Sequence, residues 1–255
     1  MRLNCRLALG VAFAAVLLAT MAGPVMAGEL RISGAATIAR GIILPNQAAI
    51  EQETGLTLVI IANGDGNGLK DLYADRADVA MAVAPLAVTE AMLNKASPGS
   101  LNTAGFQSAT VGSSTIHFVV NPANPVKSLS AEQLRDIFTG KITTWKEVGG
   151  DDQPILVIAE VIGLGVHTNV VAGFLGGTEI TPRARTMQAL VQVIQVVAQL
   201  PNAISYGVAA SITPAVAVLP DVEVPQTLGL VTKGPPSPDA QKLIVAVAKY
   251  GATMK

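Results

Sequence analysis

Leu56-Thr57-Leu58-Val59-Ile60-Ile61-Ala62 runs directly into Asn63-Gly64-Asp65-Gly66-Asn67-Gly68. Seven residues rich in Val and Ile predict a buried-type β-strand, and the run of Asn, Asp and Gly predicts the loop that ends it. Upstream, Leu30-Arg31-Ile32-Ser33-Gly34 reads as a short strand with a glycine turn. Thr37 to Glu53 carries helical apolar spacing and stops at Gly55, a residue suited to the left-handed position after a helix. Downstream, Leu69 to Arg76 predicts a short helix, and Val79 to Val83 a third strand that ends before Pro85. Repeated strand, loop and helix units imply parallel strands with crossover helices, hence an α/β fold.

The 255 residues hold 17 basic and 18 acidic side chains, a formal charge of -1, and half of them are hydrophobic. Mean hydropathy is +0.48 and the pI is near 6.1. Such a chain can bury a large core, and it lacks the basic patch that nucleic acid demands. One cysteine excludes a disulfide framework, a Cys-based zinc site and a CxxC redox pair. That cysteine sits in what reads as an export signal over residues 1–27. Arg2 and Arg6 are the basic start, Leu7 to Ala19 is an apolar run of 13 residues, and Val25-Met26-Ala27 is a small-x-small cleavage pattern. Thirteen residues are too few to span a bilayer. Cys5 precedes the apolar run, whereas a lipid-bearing cysteine would follow it, so the expectation is a soluble exported chain without a lipid anchor. Loss of Arg2 and Arg6 takes the net charge from -1 to -3.

In the middle of the chain, Thr115 to Asn121 alternates like a strand that Pro122 and Pro125 end. Ser130-Ala131-Glu132-Gln133 has the form of a capping box, and Leu129 and Leu134 are spaced as a hydrophobic staple. Leu134, Ile137 and Phe138 form an apolar face that closes at Gly140. Ile155 to Ala159 predicts a strand, Met187 to Gln199 a helix closed by Pro201, and Leu228 to Thr232 a returning strand. Ser237-Pro238-Asp239 opens a terminal helix.

Leu129 to Trp145, LSAEQLRDIFTGKITTW, resembles a long and specific motif of the PstS-like phosphate-binding proteins, the type II periplasmic receptors of ABC transporters. Ser33-Gly34-Ala35-Ala36-Thr37, the Gly64, Gly66 and Gly68 loop, Asp78, Pro201 to Tyr206 and Lys233-Gly234-Pro235-Pro236 follow the family's order around it. The resemblance implies two α/β lobes joined by two crossover strands around a ligand cleft. One lobe would hold residues 28–105 and 226–255, the other residues 106–225. It further implies a periplasmic monomer that takes a small-molecule solute to an ABC transporter permease, with no cofactor, no metal and no nucleic-acid partner.

By the same resemblance the pocket comprises four loops. The first is Ser33, Gly34, Ala35, Ala36 and Thr37, although Ser33 and Thr37 would serve equally as helix caps. The second is Gly64, Asp65 and Gly66, with Asp65 where the family has Ser; its glycines would let backbone approach a ligand, or simply make a tight turn. The third contains Ala84, where the family's Ser-Asp pair is absent. The fourth places Glu160 where the family has Arg, followed by Gly163, Gly165, His167 and Thr168. A carboxylate beside a dianion is repelled at short range, and a site stripped of hydroxyls leaves the anion's desolvation uncompensated. The exchanges therefore favour a neutral or cationic organic solute over the family's phosphate-like oxyanion, or an envelope sensor or interaction protein that has kept the scaffold. No nucleophile elbow, HExxH or P-loop is present, and Leu69 stands where a dinucleotide fingerprint needs its third Gly. His117 and His167 are the only neutral-pH bases, so the chain does not read as an enzyme.

Overall fold

A computed structural model describes residues 28–252; the expected export signal over 1–27 lies outside the described residues. Eight strands, β1 (Gly28–Gly34), β2 (Leu56–Ile61), β3 (Val79–Ala82), β4 (Phe106–Val120), β5 (Leu156–Glu160), β6 (Arg185–Met187), β7 (Ala203–Val208) and β8 (Ala217–Lys233), hydrogen-bond in the order β2-β1-β3-β8-β4-β7-β5-β6. β1 is parallel to β2 and β3, and β5 is parallel to β6 and β7. Between these groups β4 and β8 form a long antiparallel ribbon, from Phe106 opposite Lys233 to Val120 opposite Ala217. The result is an α/β fold of two lobes joined by two long strands. Parallel pairing holds only for the outer strands, because a chain that crosses into a second lobe and returns must traverse the junction in opposite directions.

The helices are α1 (Ala36–Ile38), α2 (Gln47–Thr54), α3 (Asp65–Tyr73), α4 (Leu86–Ala96), α5 (Ala131–Thr139), α6 (Gly165–Asn169), α7 (Leu190–Gln199) and α8 (Pro238–Gly251). The helix expected over 37–53 is broken by a wide π turn, Ala39–Ile43, and a tight 3-10 turn, Leu44–Asn46. Pro45 lacks the amide that a regular helix would use there. Gly55 follows with φ +69°, the left-handed ending that its sequence position implied.

Several boundaries differ from expectation for physical reasons. β2 is an edge strand with Val59 and Ile61 turned outward, not a strand buried on both faces. β8 begins eleven residues before Leu228 despite Pro220 and Pro225. β3 pairs with β8 only at Gly229 to Val231, so the proline-bearing half has one free edge and needs no amide there. Met187 belongs to β6, and α7 starts at Leu190.

Each lobe has its own core. β1, the helical stretch after it, β2, β3 and α8 enclose Ile32, Ile38, Ile42, Val79 and Leu243. The second lobe packs Leu134, Ile137 and Phe138 of α5 against Phe118, Phe174 and Tyr206. The Ser130 hydroxyl accepts from Gln133 N at 3.1 Å and Ser130 N donates to the Gln133 side chain at 2.8 Å, which completes the capping box. Trp145 is buried and its indole N-H donates to Asn202 O at 2.9 Å, tying the LSAEQLRDIFTGKITTW segment to the loop before β7. Asp78 accepts from the backbone and guanidinium of Arg31, joining β1 to the start of β3.

The first turns of α3 and β1 are pressed together. A Cβ on Gly68 would lie 2.4 Å from Gly34 Cα and 2.6 Å from Ser33 O, both backbone atoms that cannot yield independently. Gly68→Ala is expected to cost roughly 1–3 kcal/mol through overpacking. Gly173→Ala, at a helical position with no atom within 4 Å of the added carbon, is expected to stay within about 1 kcal/mol of wild type. Chemical denaturation midpoints of the two variants check the contrast.

Candidate functional site

Asp65 begins α3 behind Gly64, whose φ of +92° few other residues adopt. The carboxylate is 2% exposed and is turned into the protein where the lobes meet. It accepts from Val83 N at 2.6 Å and from Ala84 N at 3.2 Å, in the loop between β3 and α4. Its own amide and that of Gly165, the first residue of α6, lie near enough to favour its charged form. A Cβ on Gly165 would lie 2.3 Å from both carboxylate oxygens, so only glycine leaves room for them. Burial pushes the Asp65 carboxyl up to about 6 against the opposing pull of these four N-H groups. At neutral pH it is ionised.

Glu160 closes β5 and is also buried. The amides of His167, in α6, and Leu190, the first residue of α7, lie near enough to favour its charged form. Burial first, and the Asp65 charge second, raise Glu160 to about 8, so of the two neighbouring acids Glu160 holds its proton the more firmly. Glu160 N donates to the Tyr206 hydroxyl at 3.1 Å, and that hydroxyl lies 3.3 Å from His167 Nδ1. Burial lowers His167 and raises Tyr206, so a neutral imidazole and a neutral phenol share this hydrogen bond, in the direction set by the imidazole tautomer. Glu160 Oε2 and His167 Nε2 are buried with no hydrogen-bond partner.

A cavity of about 130 Å³ lies between the lobes, and Ala36, Thr37, Gly64, Asp65, Glu160 and Gly165 stand in its wall. The other residues expected at the site are turned elsewhere. The Ser33 hydroxyl donates to Asp71 Oδ2 at 2.7 Å, Gly34 presses on Met81, and Ala35 N donates to Met81 O at 2.9 Å. Gly66 N donates to Gly163 O at 3.1 Å, a bond between lobes. Ala84 contributes only the amide held by Asp65, and Thr168 returns its hydroxyl to Leu164 O at 3.0 Å. His167 faces Tyr206 rather than the cavity.

The expected loop at 63–68 is corrected as well, since residues 65–68 are the first turn of α3 and its glycines serve close packing. Missed by sequence reasoning were Arg40, Asn63, Val83, Gln188, Leu190 and Ser211, all in the cavity wall. Reading Met187 to Gln199 as one helix hid the turn that carries Gln188. No local signal marks Ser211. Among the described residues no group of three or more His, Cys, Asp or Glu could hold a metal ion.

Two α/β lobes, a double crossover and a cavity between the lobes that holds two buried acids define a bilobal solute-receptor architecture. The sequence model of the family described as "PBP superfamily domain" matches residues 20–239, and the chain belongs to that superfamily. It is similar to the phosphate-binding protein PstS of Bacillus subtilis, with 28% identity over 179 residues, 70% of this chain and 56% of the relative. The chain thus spans little more than half the length of that relative. Among solved structures it is similar to a candidate phosphate ABC transporter substrate-binding protein from Clostridium perfringens with bound phosphate, at TM-score 0.72 and 23% identity over 86% of this chain and 93% of the other. An ABC-type phosphate transport receptor from Vibrio cholerae gives TM-score 0.65 and 21% identity over the same shares, 86% and 93%. The fold and family implied by the LSAEQLRDIFTGKITTW segment therefore hold.

Both buried acids sit above their unfolded-state values, so the folded chain keeps protons that the unfolded chain releases. Their contribution to stability is complete below the unfolded pKa values and is lost as pH rises through about 6 for Asp65 and about 8 for Glu160. Tm is expected to fall steadily between about pH 5 and about pH 8.5, and Glu160→Gln to flatten the alkaline half of that decline. Differential scanning calorimetry across that range checks both.

Proposed function

We propose that the chain is an exported, periplasmic, monomeric solute-binding protein of the PstS type that delivers its solute to an ABC transporter permease, with lobes over residues 28–105 plus 226–255 and 106–225. The solute is small and either uncharged or cationic. One observation carries this choice: two buried carboxyl groups, Asp65 and Glu160, stand in the wall of the same cavity, and Glu160 Oε2 has no partner. A solute polar group can pair with that carboxyl, whereas a phosphate dianion meets the Asp65 charge at close range. Arg40 also lines the cavity, but it is exposed. A volume of about 130 Å³ corresponds to roughly four waters at liquid density, room for a solute of several heavy atoms.

The relatives named for phosphate support the receptor role, and these two acids support the change of ligand. The protein acts by binding and not by catalysis. His167 is buried against Tyr206 and away from the cavity, in no position to move a solute proton.

A thermal-shift screen of amines, amino acids, sugars and oxyanions, followed by calorimetry of the best binders, tests the reading. At least one uncharged or cationic solute is expected to bind and phosphate is not; micromolar phosphate binding contradicts the choice of ligand. A cationic solute is expected to bind more tightly as pH rises through about 8, because ionisation of Glu160 supplies its counter-charge. An uncharged solute shows no such rise. No binding by any class of solute contradicts transport and favours the scaffold-retaining sensor.

A further inference from the structure

We propose that Asp65 is a built-in oxyanion, a tethered carboxylate that occupies an anion seat at the junction of the lobes and holds them together in place of a dissociable anion. This rests on the reading of the cleft as the solute site and names the residue that sets its specificity.

The first argument is the kind of partner Asp65 has. Buried carboxylates ordinarily pair with Arg or Lys. The groups that hydrogen-bond Asp65 are both backbone amides, those of Val83 and Ala84, and the neighbouring amides of Gly165 and of Asp65 itself favour its charge. Main-chain N-H groups that converge from helix starts and turns are how proteins grip free anions. Val83 and Ala84 lie in the turn between β3 and α4, Asp65 opens the nine-residue α3, and Gly165 stands across the junction at the first residue of α6.

The second argument is shape. Gly165 leaves a hollow that any Cβ would fill, and the Asp65 oxygens lie in it. The neighbouring contacts between lobes surround the same point: Gly66 N to Gly163 O at 3.1 Å, Asn169 Nδ2 to Val83 O at 2.8 Å, and Leu164 packed against Gly64. The carboxylate is thus enclosed by a junction already made, as a bound anion is in a closed receptor.

The third argument is an independent polar group beside the seat. Glu160, 5% exposed, faces the same cavity and feels the Asp65 charge, and its Oε2 has no partner. An added anion would have to displace Asp65 and then sit against Glu160. A carboxylate already fixed to the chain loses no translational freedom on occupying the seat, whereas a free anion does.

The seat should therefore become an oxyanion site once the side chain is shortened. In Asp65→Ser the amides of Val83 and Ala84 lose their acceptor, and inorganic phosphate or sulfate can take its place. Asp65→Asn removes the charge but keeps the seat filled. Titration calorimetry and thermal shift at pH 7 are expected to show no phosphate or sulfate binding by wild type or Asp65→Asn, and a gain of at least roughly tenfold in affinity for Asp65→Ser, the worth of one hydrogen bond to a charged group. Equal affinity of wild type and Asp65→Ser, whether tight or absent, overturns the proposal.

If Asp65→Ser does not fold, amide hydrogen exchange decides with wild type and Asp65→Asn. The Val83 and Ala84 amides are expected to exchange slowly in wild type with no anion added, and faster in Asp65→Asn. Fast exchange in wild type overturns the proposal. A wild type that binds an amine while Asp65→Ser gains no oxyanion refutes the seat and leaves the receptor reading intact. Oxyanion gain with no solute bound by wild type does the reverse.

Discussion

The Asp65 carboxylate, held by the Val83 and Ala84 amides and packed against Gly165 of the other lobe, is the interaction around which the junction of the lobes is built. A buried charge is costly unless its hydrogen-bonding capacity is met. The fold meets it by bringing Val83 and Ala84 from the end of β3, and Gly165 from the start of α6, to one point. Everything that delivers those amides is constrained in turn. Gly68 must let α3 lie on β1, Gly64 must take a positive φ, and Gly165 must lack a side chain. The ribbon of β4 and β8 then carries the second lobe back against the first.

Much of this was legible where the forces are local. The capping box at Ser130, the apolar face of α5 and the helix-ending glycines at 55 and 140 depend on neighbours within a turn, and the structure has them as read. The start of α3 was not legible. Asp65-Gly66-Asn67-Gly68 has poor helix propensity, and the segment is helical because Gly66 and Gly68 let it pack against Gly163 and Gly34. That compensation is tertiary. The length of β8 was hidden for the same reason, since its prolines are tolerable only on an edge defined by distant pairing.

At the site, residue type could be read and direction could not. Asp65 and Glu160 stood out as acids in a scaffold whose relatives are named for phosphate. The amides around Asp65 come from about 20 and 100 residues along the chain, a separation over which no periodic pattern carries information. Ser33 and Thr168 looked like pocket hydroxyls, yet each is consumed internally, by Asp71 and by Leu164. Gln188 and Ser211 entered the cavity wall unannounced because they ride on turns whose position only the assembled sheet defines.

On the proposed reading the scaffold and the ligand preference part company by a small change in chemistry. The chain itself, on that reading, supplies the negative charge that main-chain N-H groups favour. A crystal structure of the wild-type protein grown in a large excess of phosphate tests this most directly. The account predicts the Asp65 carboxylate in contact with the amides of Val83, Ala84 and Gly165, with no phosphate between them. Phosphate on those three amides, with the Asp65 side chain swung away, would contradict it.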